Sequence, residues 1–232
     1  MTLAEMVAEL KMLLRNNRLS DDERMDDRLW EKLIVTQRAL WIRNQIVKNS
    51  KPQSAVVQDL GCVGITTADP AECCDFNTNC TVLRTSVEVP RRIETPNFDG
   101  ITRVGPVDKF QIDYLYVPYE RARWAGGGYF NGNAIVATEL NDYVYLISRS
   151  PSDYFKYLSF VNIRGVFEDP RTVGAFTRCT GEACFSADSE YPITEATWVY
   201  MKNQIVESNF GILTSVLSDK TNDADADVTQ KA

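Results

Sequence analysis

Apolar residues recur at helical spacing near both ends of the chain and at a period near two between them. Leu3, Met6, Val7, Leu10, Leu13 and Leu14 form one stripe of a first helix. Thr2 answered by Glu5 predicts a capping box at its start. Arg15-Asn16-Asn17-Arg18 ends that helix, and Ser20-Asp21-Asp22-Glu23 reads as a polar, acidic turn. A second helix is expected from near Asp26 to about Lys48. Its apolar face carries Leu29, Trp30, Leu33, Ile34, Gln37, Leu40 and Trp41. Arg28, Lys32, Arg38 and Arg43 make a basic opposite face. Two helices this close in sequence predict an αα-hairpin. After Tyr191-Pro192-Ile193, the residues Thr197, Met201, Ile205, Leu213 and Leu217 predict a long last helix, with a slip at Phe210-Gly211.

Ser50-Lys51-Pro52-Gln53-Ser54 separates the two regimes. Beyond it the expected strands are 56–60, 82–89, 100–104, 111–117, 132–139, 143–148 and 157–166. The turns between them are rich in Gly, Asn, Asp and Pro, as at Asn141-Asp142. Spacings of about ten residues suggest an antiparallel sheet or small sandwich, not βαβ units. The expected class is therefore α+β. A helical hairpin (1–50) is followed by a β-rich insertion (51–190), a helix packing back on the first two (191–219) and an acidic tail (220–232). The tail after Asp219 carries almost no apolar residue and cannot bury enough surface to order itself alone.

Charge narrows the function. The net charge of −7, with a pI near 4.8, argues against a nucleic-acid binder, which needs a basic face to grip phosphates. An acidic wall can still surround a duplex and let it slide. Histidine is absent, which removes Ser-His-Asp and Cys-His catalysis and His-ligated zinc. The start, Met1-Thr2-Leu3-Ala4-Glu5, lacks the features of a signal peptide. No apolar run approaches the roughly 18 residues that a membrane span needs. Folding in a reducing cytoplasm is expected, where the six cysteines favour the thiol form.

Four kinds of motif hold candidate chemistry. Gly126-Gly127-Gly128 lacks the Lys-Ser or Lys-Thr of a P-loop and leads towards a strand, so it reads as a loop tip. Cys62, Cys73, Cys74 and Cys80 cluster around one loop, and Cys179 with Cys184 forms a second pair. Zinc could take four thiolates, but the C-x₂-C knuckles are missing. Free thiols are the favoured state, and Cys73 or Cys74 with Cys80 is the easiest bridge to close. The carboxylates Asp69, Glu72, Asp75, Glu168 and Asp169 fall in loops. Glycoside chemistry needs two of them about 5–9 Å apart, and loop carboxylates are usually turn formers. Tyr114, Tyr116, Tyr119, Trp124 and Tyr129 make an aromatic stretch that suits either a sheet face or a contact surface. Arg121 and Arg123 tilt it towards an exposed loop.

The order of these pieces resembles the head–tail connector (adaptor or ring) proteins of short-tailed bacteriophages, including the crAss-like group. The resemblance runs through Asp26-Asp27-Arg28-Leu29-Trp30, Gln37-Arg38-Ala39-Leu40-Trp41-Ile42-Arg43 and Gln58-Asp59-Leu60-Gly61-Cys62-Val63. It continues through the cysteine loop, Val87-Glu88-Val89-Pro90, Ile101-Thr102-Arg103-Val104-Gly105-Pro106 and Arg164-Gly165-Val166-Phe167-Glu168-Asp169-Pro170. It ends at Tyr191-Pro192-Ile193 and Asn222-Asp223-Ala224.

The resemblance implies a structural virion protein without enzymatic activity or cofactor. Such proteins form a cyclic ring, commonly of about twelve copies, beneath the portal protein. They extend the DNA channel without binding a particular sequence, and they carry the next ring or tail protein. Assembly in the host bacterial cytoplasm and residence at the portal vertex or neck follow, with no membrane partner. On that reading Asp219, Asn222, Asp223, Asp225 and Asp227 dock on the portal. Arg28, Lys32, Arg38 and Arg43 contact neighbouring copies. Tyr119, Arg121, Arg123, Trp124 and Tyr129 face the next ring. The alternatives are another neck or tail-completion ring, a carboxylate-dependent virion hydrolase using Glu168 or Glu72, and an adhesin-like module using the aromatic loop.

Overall fold

The computed structural model describes residues 1–14, 26–49, 51–68, 82–108, 110–122, 124–125, 134–148 and 153–217. Among them are five α-helices and eight strands, so the class is mixed α and β. Helix α1 spans Leu3–Leu14. The capping box forms as the sequence predicts: Thr2 N–H donates to Glu5 Oε2 at 2.7 Å, and Glu5 N–H donates to Thr2 Oγ1 at 3.3 Å. Leu3, Met6, Val7 and Leu10 are buried, while Leu13 is half exposed.

Helix α2 spans Asp27–Asn49 and buries Trp30, Ile34, Arg38, Ile42 and Ile46. This corrects the expected face. Leu29 and Leu40 point outward, and Arg38 points inward. Every fourth position faces the core, so the buried stripe drifts by about 40° at each step and winds around the helix as it descends. Arg38 lies at its centre because other elements supply acceptors for it.

Between the helices lie β1 (Gln58–Asp59), β2 (Val63–Thr67), β3 (Val82–Thr85), β4 (Ile101–Gly105), β5 (Leu115–Tyr116), β6 (Val136–Leu140), β7 (Tyr143–Ile147) and β8 (Phe160–Gly165). They form one sheet in the order β1-β8-β2-β3-β7-β6-β5, with β4 also paired to β8. Strand β8 is the hub. Its first residues pair with β2 and its later ones with β1 and β4. All pairings are antiparallel except β5–β6. Strands β1, β3, β5, β7 and β8 fall within expected segments, and β4 and β6 overlap theirs and run one residue past them. Strand β2 was not anticipated, because Gly64 and Thr66-Thr67 weaken its apolar signal. The β6–β7 hairpin turns at Asn141 and Asp142, both with positive φ (51° and 63°), as a type I′ turn requires. Two short helices, α3 (Tyr119–Ala122) and α4 (Asp153–Lys156), flank the sheet.

Helix α5 spans Glu195–Leu217. Its Trp198, Met201 and Ile205 share one core cluster with Leu3, Met6 and Leu10 of α1, Trp30 and Ile34 of α2, and strand residues such as Val161 and Ile163. A smaller cluster joins Ile42 and Ile46 to Val56, Ile93 and Val166. Polar contacts tie the helices together. Trp198 Nε1–H donates to Glu9 at 2.6 Å, and Lys202 pairs with the same carboxylate at 2.6 Å. Burial alone would raise the Glu9 pKa, but these hydrogen bonds outweigh it and hold Glu9 below the usual glutamate value. No helix among the described residues is long and apolar enough to cross a membrane.

Candidate functional site

The basic residues of α2 divide into two sets. Arg38 is fully buried, which removes it from the residues expected to contact a neighbouring copy. Its Nη1 donates to the Phe167 carbonyl at 2.8 Å, Nη2 to Val56 O at 3.4 Å and Nε to Pro192 O at 3.3 Å. The guanidinium lies 5.8 Å from the centroid of the Tyr191 ring, within cation–π range. One side chain thereby joins α2 to the 3-10 turn Ser54–Val56, the end of the β8 hub and the entry to α5. Burial lowers its pKa to about 10, leaving it charged at neutral pH. Nearby, Arg171 bridges Glu31 of α2 (2.7 Å) and Asp169 (2.8 Å). Asp169 also caps the 3-10 helix Pro170–Ala175. This loop carboxylate is therefore a fastener.

Arg28, Lys32 and Arg43 face water. Among the described residues none of them has an acidic partner in its own chain. They border an outward stripe of Leu29, Thr36, Leu40 and Val47. At about 100° per residue this stripe lies opposite Arg38. Three of its side chains, Leu29, Leu40 and Val47, remain about half exposed. Helix α5 likewise leaves Val199 and Tyr200 about half exposed. These side chains make α2 and α5 candidate contact faces.

The aromatic stretch splits. Tyr114 enters the core cluster and Tyr116 packs half-buried against it. Burial pushes the Tyr116 phenol up to about 12. Trp124 is 78% exposed, Arg121 is exposed and Tyr119 half-buried. Arg123 and Tyr129 lie outside the described residues, as do Gly126-Gly127-Gly128 and the tail positions Asp219, Asn222, Asp223, Asp225 and Asp227. Sequence reasoning missed a second display. Phe110 is 100% exposed and Ile112 is 91% exposed, on a braced loop after β4. Asp108 accepts from Phe110 N–H at 3.0 Å, and Asp113 Oδ1 accepts from Arg103 at 2.5 Å. The alternation in 111–117 that predicted a strand hides this, because it does not say which face is covered.

Cys62 is bonded to Cys179, with Cα atoms 5.2 Å apart and a sequence separation of 117. This corrects both its grouping with Cys73, Cys74 and Cys80 as a zinc set and the preference for a free thiol. Those three lie outside the described residues. Local arrangement explains the pairing. The segment around Cys179 folds back through the Thr177–Ala183 bridge, and Cys62 N–H donates to Thr177 O at 3.0 Å. Gly61 has φ +69°, and a Cβ there would meet Thr177 O at 2.5 Å. Only glycine permits that approach. Cys184 is a free thiol beside it, its pKa raised by burial and by Asp59. A cleft of about 530 Å³ opens at this corner, lined in part by Gln58, Asp59, Arg178 and Glu190. Asp59 is held by Gly61 N–H at 2.9 Å and Asn162 Nδ2–H at 2.6 Å. Among the described residues no cluster of three potential metal ligands occurs. The exposed apolar side chains of α2, α5 and the loop after β4 are the candidate contact surfaces.

The family model described as "Phage tail ring protein 2" matches residues 5–228 of this chain. Ring protein 2 of Bacteroides phage crAss001 is 29% identical over 170 residues, covering 72% of this chain and 69% of that protein.

Proposed function

This chain belongs to the phage tail ring protein 2 family and is a structural protein of a phage virion, and from that premise we propose that its copies close into a ring beneath the portal. The ring extends the DNA channel, retains packaged DNA and presents a platform for the next tail component. No catalytic role is assigned to it. The observation that carries this reading is the family match across nearly the whole chain. The apolar, base-bordered side of α2 supports it, because a closed ring needs two unlike surfaces on each subunit.

Arg28, Lys32 and Arg43 serve lateral contacts with neighbouring copies. The acidic tail carrying Asp219, Asn222, Asp223, Asp225 and Asp227 docks on the portal. Tyr119, Arg121 and Trp124, continuing through Arg123 and Tyr129, face the next ring. The net charge of −7 is repeated in every copy. A ring concentrates it and lets a duplex slide instead of adhering.

Mass photometry of the purified chain, alone and mixed with the phage's portal ring, tests this. Monomers alone and one copy per portal subunit in the mixture are expected. A monomer in both samples overturns portal docking and moves the ring to a more distal layer of the neck.

A further inference from the structure

We infer that the lateral contact between copies is a helix-to-helix seam, in which the outward stripe of α2 packs on the outward stripe of a neighbour's α5. The inference rests on the ring reading above and adds the two surfaces that meet.

The two helices carry complementary faces. On α2 the exposed Leu29, Thr36, Leu40, Arg43 and Val47 fall at spacings of seven, four, three and four, with Leu33, which packs in part on the chain's own core, between the first two. A seam between two helices needs this pattern. Lys32 and Arg43 give its border positive charge, and both are exposed. On α5, Ala196, Val199, Tyr200 and Asn203 form an exposed strip of the same kind. Here the border is acidic: Glu195 and Glu207 are exposed at its two ends. Among the described residues none of Lys32, Arg43, Glu195 and Glu207 is paired to an opposite charge within its own chain.

One stripe is apolar with a basic edge, and the other is apolar with an acidic edge. Like stripes meeting in a two-fold dimer would place basic against basic or acidic against acidic, which costs affinity. Unlike stripes attract, and a contact between unlike surfaces propagates from copy to copy until a ring closes. Helices α2 and α5 already pack side by side through their other faces, Arg38 reaching the Pro192 carbonyl at the entry to α5. Placing the next copy's α2 outside α5 continues the same helical layer around the ring. The acidic tail is a poorer occupant of the α2 stripe. It matches the charge, but it has almost no apolar residue to cover Leu29, Leu40 and Val47.

Charge reversal on each face, followed by double reversal, is the test. Three variants are made: Lys32→Glu with Arg43→Glu, Glu195→Lys with Glu207→Lys, and all four changes in one chain. Each is compared with wild type by circular-dichroism melting and by mass photometry with the portal ring present. All three variants should melt as wild type does, since the four positions are exposed. Each two-residue variant should raise the concentration for half-assembly about tenfold or more, and the four-residue variant should restore it. Folded two-residue variants that assemble normally, or a folded four-residue variant that is not rescued, would overturn the seam. Loss with the α2 variant and no rescue assigns that stripe to the portal or another ring instead. If wild type itself forms no ring with the portal, the underlying ring reading fails, a result distinct from loss in the variants alone. Replacing Leu40 by Asp supplies an arm independent of charge pairing. It should block assembly in a chain that still folds, and normal assembly of that variant also counts against the seam.

Discussion

The two sides of α2 carry the same chemistry to opposite ends. On the inner side Arg38 is enclosed by three backbone carbonyls and the Tyr191 ring. On the outer side Arg28, Lys32 and Arg43 stand in water beside half-exposed leucines. A cation on a helix therefore does not reveal its side. What decides is whether the rest of the fold supplies acceptors. Val56, Phe167 and Pro192 lie far from Arg38 in sequence, and their carbonyls converge only once the strands and α5 are in place. The inner cation ties α2 to three other segments, whereas the outer ones have no acidic partner among the described residues.

Removing the inner cation should have the largest effect. Arg38→Ala leaves three carbonyls, two of them in buried contacts, without their donor and opens a cavity beneath Tyr191, at a cost of about 3–5 kcal/mol. For a chain of this size the midpoint of thermal unfolding should fall by roughly 10 °C. Arg38→Lys keeps the charge but loses the planar fork, so its melting point should lie between the two. A melt of Arg38→Ala within about 1 °C of wild type would mean that the inner side is held by apolar packing alone.

Next in size is the covalent fastener. Cys62–Cys179 closes a loop across 117 positions, and such a link restricts the unfolded chain. Cys62→Ser should cost about 2–4 kcal/mol without reductant and almost nothing with it. Parallel melts with and without dithiothreitol measure this. Equal losses in both conditions would trace the effect to packing at the Gly61 corner and not to the bond.

Much of the fold was legible in the sequence for physical reasons that also explain the failures. The capping box at Thr2 and Glu5, the turn at Asn141-Asp142 and seven strand segments are local signals, set by neighbours in sequence. The misplaced features depend on distant partners. Arg38 was put outside because its acceptors come from three other segments. Cys62 was grouped with its sequence neighbours because chain proximity ranks the easiest loop, while a hydrogen bond to Thr177 brings Cys179 close instead. The contact surfaces were half legible. Lys32 and Arg43 are where the pattern put them, but Leu29 and Leu40 changed sides once Arg38 took the core position. Phe110 and Ile112 gave no signal of exposure, since an apolar alternation ordinarily marks a strand with one covered face.

Acid should weaken the fastening between the helices by a smaller amount. Glu9 and Asp169 both titrate below their ordinary values. In each case burial acts to raise the pKa, and it is outweighed by hydrogen bonds, from Lys202 and Trp198 to Glu9 and from Arg171 to Asp169. A carboxylate with a depressed folded pKa contributes stability that is present above its unfolded value, near 4. That contribution disappears as pH falls through the lower, folded value. Melting points should therefore hold steady from pH 7 to about 5 and decline below about 4. Glu9→Gln should remove part of the decline and cost about 1 kcal/mol at pH 7. A variant whose acid profile overlays that of wild type would exclude Glu9 as a source of the decline.

The smallest effect on the fold should come from the outer side, and it completes the contrast. Arg43→Ala removes an exposed cation with no acidic partner among the described residues of its own chain, so the melt should move by less than about 0.5 kcal/mol. Its consequence belongs to association. A rim charge acts mainly on the rate of encounter and on salt dependence, so the variant should assemble more slowly at low salt and approach wild-type behaviour as salt is raised. Stopped-flow light scattering at two ionic strengths, beside a melt of the same sample, separates the two quantities. Arg38→Ala should move the melt and Arg43→Ala the association rate. If Arg43→Ala moved the melt as far as Arg38→Ala does, the two sides of α2 would not differ in function, and the assignment of the outer side to a partner would lose its physical basis.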